Sequence, residues 1–468
     1  MENTKQPQKA HVLVVPFPGQ GHINPMLQFS KRLASKGIKT TLTPTIYIAK
    51  SMHSTTIPTH HGPPIQIRPI SDGYDDGGYN QAESTSAYLD DLKSHGQKTL
   101  AQLVEKLAQE GEPVKAIIYD GFLSWALHVA RHFGLVGVVF FTQACTVNSV
   151  YYHVQRGLIQ LPIPGSGPMM VPGAPELLPA DLPSLVEIYG SYPFWFDVVL
   201  NQFSNIDQVD WVLCNTFYDM EKELNDLLKV VDWMAERWKV RTIGPTVPSY
   251  YLDKRLDYDK DYSIQLLKPN TAMYETWLAN KSKASVIYVS FGSMAELSNE
   301  QYEELAWGLR NSNQNFLWAV RESEQSKLPK GFIDDVSKRG LVVGWSSQLE
   351  VLAHEAVGCF VTHCGFNSIL EALCLGVPVV GIPQWTDQGT NAKLVEDVWG
   401  VGIRAKKEEN GIVRREKVEE CIREVMEGKK KEIKKNVAKW KMLAKEAIDE
   451  GGSSDKNIEE FVANLVES

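Results

Sequence analysis

Two residues invite chemistry because each follows an apolar run at a point where the chain must turn. His22 closes PFPGQGH after the run HVLVV, and Asp120 closes VKAIIYD. If both runs are strands of one parallel sheet, the two side chains emerge at the edge where open sheets bind ligands. A neutral imidazole there takes up a proton near neutral pH. An aspartate on its other nitrogen fixes the tautomer and stabilises the imidazolium that forms. Taken singly, His22 reads as a loop-capping histidine and Asp120 as a cap for the turn at Gly121.

A second collection lies downstream. Ser293 follows one apolar run, Trp345 and Gln348 follow LVVG, His363 follows CFVT, and Asp387-Gln388 follows VPVVGIP. In HCGFNSILE a strand turns through glycine into a helix that starts near Asn367 and Ser368. The free N–H groups of such a start attract an anion. An exposed indole stacks on a base, Glu371 can accept from two ribose hydroxyls, and an acid beside an amide suits the hydroxyls of a sugar. These types together suit a nucleotide sugar. Each has a plainer reading: Ser368-Ile-Leu-Glu371 is also a capping box, Trp345 and His363 are ordinary core residues, and Asp387-Gln388 is a turn.

The elements that must position these residues repeat one order twice. HVLVVPFPGQGHINPMLQFSKRLASKG runs strand, glycine-rich loop and helix, with Asn24 expected as N-cap, Pro25 as the first helical residue and Gly37 at the end. ASVIYVSFGSMAELSNEQYEELAWGLR repeats the order from Ala284. LVGVVFF in the first half, and NFLWAV, LVVGW, GCFVTH and VPVVGIP in the second, add apolar runs separated by helical patterns, the mark of parallel α/β sheets. We expect a domain over 1–248, a linker over 249–270 that is charged and loosely tied, and a second domain over 271–451. A C-terminal helix at about 452–468 is expected to pack back on the first. The proline- and glycine-rich stretch from Leu161 to Asp181 reads as a long loop shaping a substrate mouth. Phe122, Trp125, Phe141 and the run YGSYPFWF (Tyr189–Phe196) are candidates for an acceptor pocket.

Composition sets the bounds. The 468 residues are 43% hydrophobic and 22% charged, with a formal net charge of −9, which argues against a nucleic-acid or anionic-membrane surface. Lys429 to Lys435, the one basic run, reads as a solvated helical face. No stretch approaches the ~18 apolar residues of a membrane helix. Six cysteines without a CxxC pair indicate neither zinc nor a disulfide framework, so a cytoplasmic location is expected.

The segment from Trp345 to Gln388, WSSQLEVLAHEAVGCFVTHCGFNSILEALCLGVPVVGIPQWTDQ, resembles the signature box of plant family-1 glycosyltransferases, UDP-sugar-dependent enzymes of small-molecule metabolism. The likeness covers nearly the whole chain, including PFPGQGHINPM and DEGGSSDKNIEEFV. It looks closest to the subgroup that glucosylates salicylate-like acids, auxins, steroids and triterpenoids. The resemblance implies a GT-B fold, with two Rossmann-like domains whose parallel sheets face each other across a cleft. It places Trp345 on uracil, Gln348 and Ser347 on the ribose side, and Glu371 on the ribose hydroxyls. Ser293, His363, Gly365, Asn367 and Ser368 would hold the diphosphate, and Asp387 and Gln388 would grip glucose. Gly21, Thr142 and Phe366 would line the same site. His22 and Asp120 match the family's catalytic dyad, implying inverting transfer to a β-glucoside with UDP-glucose as co-substrate, no further cofactor and no metal. The expected partners are UDP-glucose and a hydrophobic small molecule, for a monomer that binds neither nucleic acid nor membrane.

One position departs from the family, which usually has tryptophan where this chain has Phe366. Phenylalanine keeps an aromatic wall but lacks the indole N–H. Among other classes, a nicotinamide dehydrogenase would need a third glycine where Asn24 stands and an acid-ended strand further on. A sugar epimerase or retaining transferase has no use for the His22–Asp120 arrangement. A non-catalytic UDP-sugar or hormone-binding protein of the same fold remains the alternative.

Overall fold

The computed structural model describes residues 10–52, 55–59, 62–221, 229–256, 258–262, 271–428 and 430–467. Eight strands form the first sheet: β1 (His11–Val15), β2 (Lys39–Leu42), β3 (Thr56–Ile57), β4 (Ile65–Ile67), β5 (Ala116–Asp120), β6 (Val136–Phe141), β7 (Trp211–Cys214) and β8 (Val240–Thr242). Their order is β3-β4-β2-β1-β5-β6-β7-β8, parallel except for the β3–β4 pair. The second sheet is wholly parallel, with β9 (Val286–Ser290), β10 (Asn315–Ala319), β11 (Gly340–Val343), β12 (Val357–Thr362), β13 (Val379–Gly381) and β14 (Gly402–Arg404) in the order β11-β10-β9-β12-β13-β14.

Both orders reverse direction at one place, between β1 and β5 and between β9 and β12. Open parallel sheets bind their ligands beyond the strand ends at such a switch point. In register, Val15 lies beside Tyr119 and Ser290 beside Thr362. The residues that leave the sheets next are therefore the loop to His22 with Asp120, and Phe291-Gly292-Ser293 with His363.

Helix α1 (Gln20–Ser35) starts earlier than the sequence suggests. Gly19 is its N-cap and His22 lies in its first turn, whereas Asn24 is buried and Pro25 sits inside the helix. Proline has no N–H, so the Gly21 carbonyl loses its partner four residues on. Asn367 of the second sheet's half fills the gap, its Nδ2 donating to Gly21 O at 2.6 Å. The helix ends as expected, with Gly37 in the left-handed region at φ +84°.

The described part of the linker is a strap rather than a loose tether. Its Asp259 takes Lys31 at 2.6 Å and its Asp253 takes Arg32 at 2.6 and 3.1 Å, all buried on α1. The final helix, Ser453–Glu467, returns to the first sheet. There Ser454 and Asn457 donate to the carbonyls of Gly244 and Thr242, and Phe461 packs against Phe29 and Trp211. All six cysteines are buried thiols. Among the described residues, no helix is long and apolar enough to cross a membrane.

Burial opposes ionisation of Asp253, but bonds from Arg32, Ser249 and Arg255 win and hold its carboxyl down at about 2. A depressed acid stabilises the fold above its unfolded pKa and loses that contribution as pH falls through the folded one. Asp253→Asn should therefore cost about 2 kcal/mol near pH 7. The penalty should vanish between about pH 4 and pH 2, as chemical denaturation at a series of pH values would show.

Candidate active site

The first switch point holds an imidazole–carboxylate pair. His22 Nδ1 lies 2.7 Å from Asp120 Oδ2, with Asp120 buried and His22 about one-fifth exposed. An ionised carboxylate only accepts, so Nδ1 carries the proton and Nε2 keeps a free lone pair. The other oxygen of Asp120 accepts the Phe122 N–H at 3.0 Å, so this aspartate orients the histidine and caps the turn at Gly121 at once. The Thr142 hydroxyl also sits beside Nδ1, at 3.3 Å. Phe17 and Phe122 wall the imidazole, and Trp195 joins them through Phe17.

Of the other pocket candidates, Trp125 and Phe141 are core residues. Trp125 packs where a side chain on Gly96 would clash, and Phe141 stacks near Phe203. The run from Tyr189 to Phe196 divides: Tyr189, Tyr192 and Phe194 are exposed, while Trp195 faces the histidine cluster.

At the second switch point, His363 occupies a space made by missing side chains. A Cβ on Gly365 would lie 2.6 Å from its Nε2, and one on Gly292, at φ +71°, would lie 3.0 Å from its Cε1. Burial lowers the His363 pKa to about 4, so the imidazole is neutral here and offers an N–H. Gly365 is the N-cap of helix Phe366–Leu375 and supplies no side-chain bond. Phe366, Asn367 and Ser368 thus stand in the first turn, with Phe366 fully enclosed.

The capping-box reading of Ser368 and Glu371 fails. Ser368 Oγ accepts from Gln348 Nε2 at 2.9 Å, and the same nitrogen donates to Glu371 Oε2 at 2.6 Å. Glu371 Oε1 accepts from the Tyr262 hydroxyl at 2.7 Å. Tyr262 belongs to the strap, and nothing in its local sequence signals this contact. Burial pushes the Glu371 carboxyl up to about 6, against these two hydrogen bonds.

Trp345 is half-buried beyond β11, and the Ser347 N–H donates to the Tyr274 hydroxyl at 3.3 Å. Ser293 follows β9 in the loop that Arg321 braces through the Ser293 carbonyl. Further along the same edge, Asp387 accepts from Thr386 at 2.9 Å and from Asn391 at 2.7 Å, and burial raises its pKa. Gln388 Oε1 accepts from the backbone N–H groups of Gln384 and Trp385, which turns its amide nitrogen away from that loop. Asn391 was not singled out in the sequence. It also donates to Cys364 O at 3.0 Å and so ties the Asp387 turn to the His363 turn. Its signal is the i, i+4 spacing from Asp387 on one helical face. Asn367, four residues beyond His363, donates from Nδ2 to the Gly21 carbonyl beside His22 at 2.6 Å, so the two switch points address one cleft.

The family described as UDP-glucoronosyl and UDP-glucosyl transferase matches residues 216–447, and the family described as glycosyltransferase, N-terminal domain, matches residues 8–57. The chain is 48% identical to UDP-glycosyltransferase 74E2 of Arabidopsis thaliana, over 97% of its own length and 98% of the relative's. It is 47% identical to Mogroside I-E synthase of Siraitia grosvenorii, again over 97% and 98%. The crystal structure of Os79 from O. sativa with UDP superposes with a TM-score of 0.87 at 40% identity, covering 97% of this chain and 100% of that one.

Glu371 yields a stability test that requires no ligand. An acid whose folded pKa is raised contributes fully below its unfolded value, here 4.5, and loses that contribution as pH rises through about 6. Wild type should therefore lose about 2 kcal/mol across this window that Glu371→Gln does not lose, measured as the difference between their denaturation profiles.

Proposed function

Because the chain belongs to the UDP-glycosyltransferases and has their GT-B fold, transferring a glycosyl group from a UDP-sugar to a small-molecule acceptor, we propose that it glucosylates a hydrophobic alcohol from UDP-glucose. The acceptor class is a steroid, triterpenoid or phenolic, with a carboxylate as a second possible nucleophile. The observation that carries this reading is the 2.7 Å His22–Asp120 pair at a switch point, with Nε2 unengaged and walled by aromatic rings. A sensor without turnover has no need of an oriented, unprotonated Nε2.

The acceptor hydroxyl gives its proton to His22 Nε2 as its oxygen bonds to the anomeric carbon. The bond from that carbon to the diphosphate breaks on the opposite face, and UDP departs with the electron pair. The configuration inverts to a β-glucoside. Asp120 stabilises the imidazolium and leaves its own proton count unchanged.

On the donor side, Trp345 stacks on uracil, and Gln348, Ser347 and Glu371 meet the ribose. Ser293, Asn367, Ser368 and the N–H groups that begin the Phe366 helix meet the diphosphate, beside Gly21 and Gly365. The arriving phosphates favour the imidazolium of His363 and raise its pKa, adding positive charge where charge develops. These donors do the work of a divalent ion. Asp387 and Gln388 grip glucose, Phe366 walls the site, and Thr142 lies between sugar and base.

His22→Ala should lower turnover on an aliphatic alcohol by ~10²-fold or more, the scale of general-base catalysis. UDP affinity by calorimetry should not change, and Asp120→Asn should fall less. An acceptor already ionised should be spared, so a near-normal rate on the alcohol would remove His22 from the role. Turnover should also persist in excess chelator. Loss restored by magnesium or manganese would show that the diphosphate needs an ion after all.

A further inference from the structure

Thr386, just before the sugar-side pair, has φ +54°. A β-branched residue in the left-handed region is an outlier that persists only where its surroundings over-determine it. Here one residue does so. The Thr386 N–H donates to Ser184 Oγ at 2.7 Å, and the Ser184 N–H donates to Thr386 O at 2.8 Å. The Thr386 hydroxyl in turn donates to Asp387 Oδ1 at 2.9 Å.

Ser184 comes from the first half of the molecule, at the end of the proline- and glycine-rich stretch. That stretch is fastened to the second half beside it. Buried Asp181 takes Arg404 at 2.6 Å, lies 3.6 Å from Lys393, and its carbonyl accepts from Thr390 at 2.7 Å. Gly389 permits the approach, since a Cβ there would lie 3.2 Å from Leu182 O. Trp385 meets Tyr192 and Trp195 of the same first-half region at ring separations of 6.0 and 6.4 Å.

We propose that Ser184 is a positioning residue for the donor sugar: by clamping Thr386 in its left-handed conformation, it sets where Asp387 and Gln388 present themselves. The grip on the hexose is then completed from the acceptor half, and the strained peptide is the means of transmission. This rests on Asp387 and Gln388 binding the sugar.

The test uses the full chain. Ser184→Ala removes the hydroxyl but keeps the backbone N–H, and Ser184→Thr restores the hydroxyl. Calorimetry with UDP and with UDP-glucose should show Ser184→Ala weakening UDP-glucose by about three- to tenfold, the scale of one hydrogen bond, with UDP unchanged. KM for UDP-glucose should rise in parallel, discrimination of glucose from galactose should fall, and Ser184→Thr should return both to wild type. Equal weakening of UDP and UDP-glucose, no effect of Ser184→Ala, or failure of Ser184→Thr to rescue would each overturn the clamp. Asp387→Asn separates the two levels of the argument. If it leaves UDP-glucose binding intact, the sugar reading and the clamp fall together. If it weakens UDP-glucose while Ser184→Ala does not, the clamp alone falls.

Discussion

A direct contact between the two edges of the cleft exists because proline has no N–H. Pro25 leaves the Gly21 carbonyl without a helical donor, and Asn367 reaches across from the start of the opposing helix to supply one. His22 is the next residue on α1, and His363 lies four residues before Asn367. This hydrogen bond therefore joins the two switch points directly, alongside the Asp181–Arg404 and Ser184–Thr386 contacts between the same halves. Farther along, Lys31 and Arg32 on the same helix hold the strap through Asp259 and Asp253, and Lys36 holds the final helix through Asp455. Buried ion pairs add little net stability compared with apolar packing, but losing one partner strands the other charge. Their effect here is on placement: one helix of 16 residues carries His22 in its first turn and the anchors of the strap behind it.

Burial then sets the protonation states around that frame. His363 is held neutral, while Glu371 and Asp387 are pushed toward protonation, each by desolvation. These costs are tolerated because each carboxylate is already hydrogen-bonded, Glu371 by Gln348 and Tyr262, Asp387 by Asn391 and Thr386. Burial and hydrogen bonding together fix the orientation of these carboxylates.

Much of this was legible in the chain because parallel α/β sheets announce themselves as continuous apolar runs. HVLVV, VKAIIYD and GCFVTH are strands, and the polar residues after them reach the ligand edge. Strands were missed where the run is short or polar. β2 is KTTL, whose buried Thr41 hydroxyl meets His11 Nε2 at 2.8 Å, and β3 and β14 have two and three residues. The start of α1 was misplaced because Asn24-Pro25 imitates a cap. In the structure the helix already runs from Gln20, with Pro25 inside it. The strap looked loose because its charges show no period, yet their partners lie more than two hundred residues away in the chain. Tyr262 and Ser184 act through contacts that no local pattern encodes, whereas Asn391 shows only in its i, i+4 spacing from Asp387.

These long-range contacts bear on how the two halves relate. The proline- and glycine-rich stretch and the residues just after it supply Asp181 and Ser184 to the second half, and their aromatic neighbours Tyr192 and Trp195 lie against Trp385. Trp195 in turn meets Phe17, which walls His22. A chain of ring contacts and backbone bonds thus runs from His22 to the residues before Asp387. Packed interiors transmit small displacements, because side chains there have few alternative arrangements. Thr386, with φ +54°, stands at the far end of this chain, bonded to Ser184 through both its N–H and its carbonyl. In this fold the loop beyond β13 is thus tied to the loop beyond β1 by side chains of both halves.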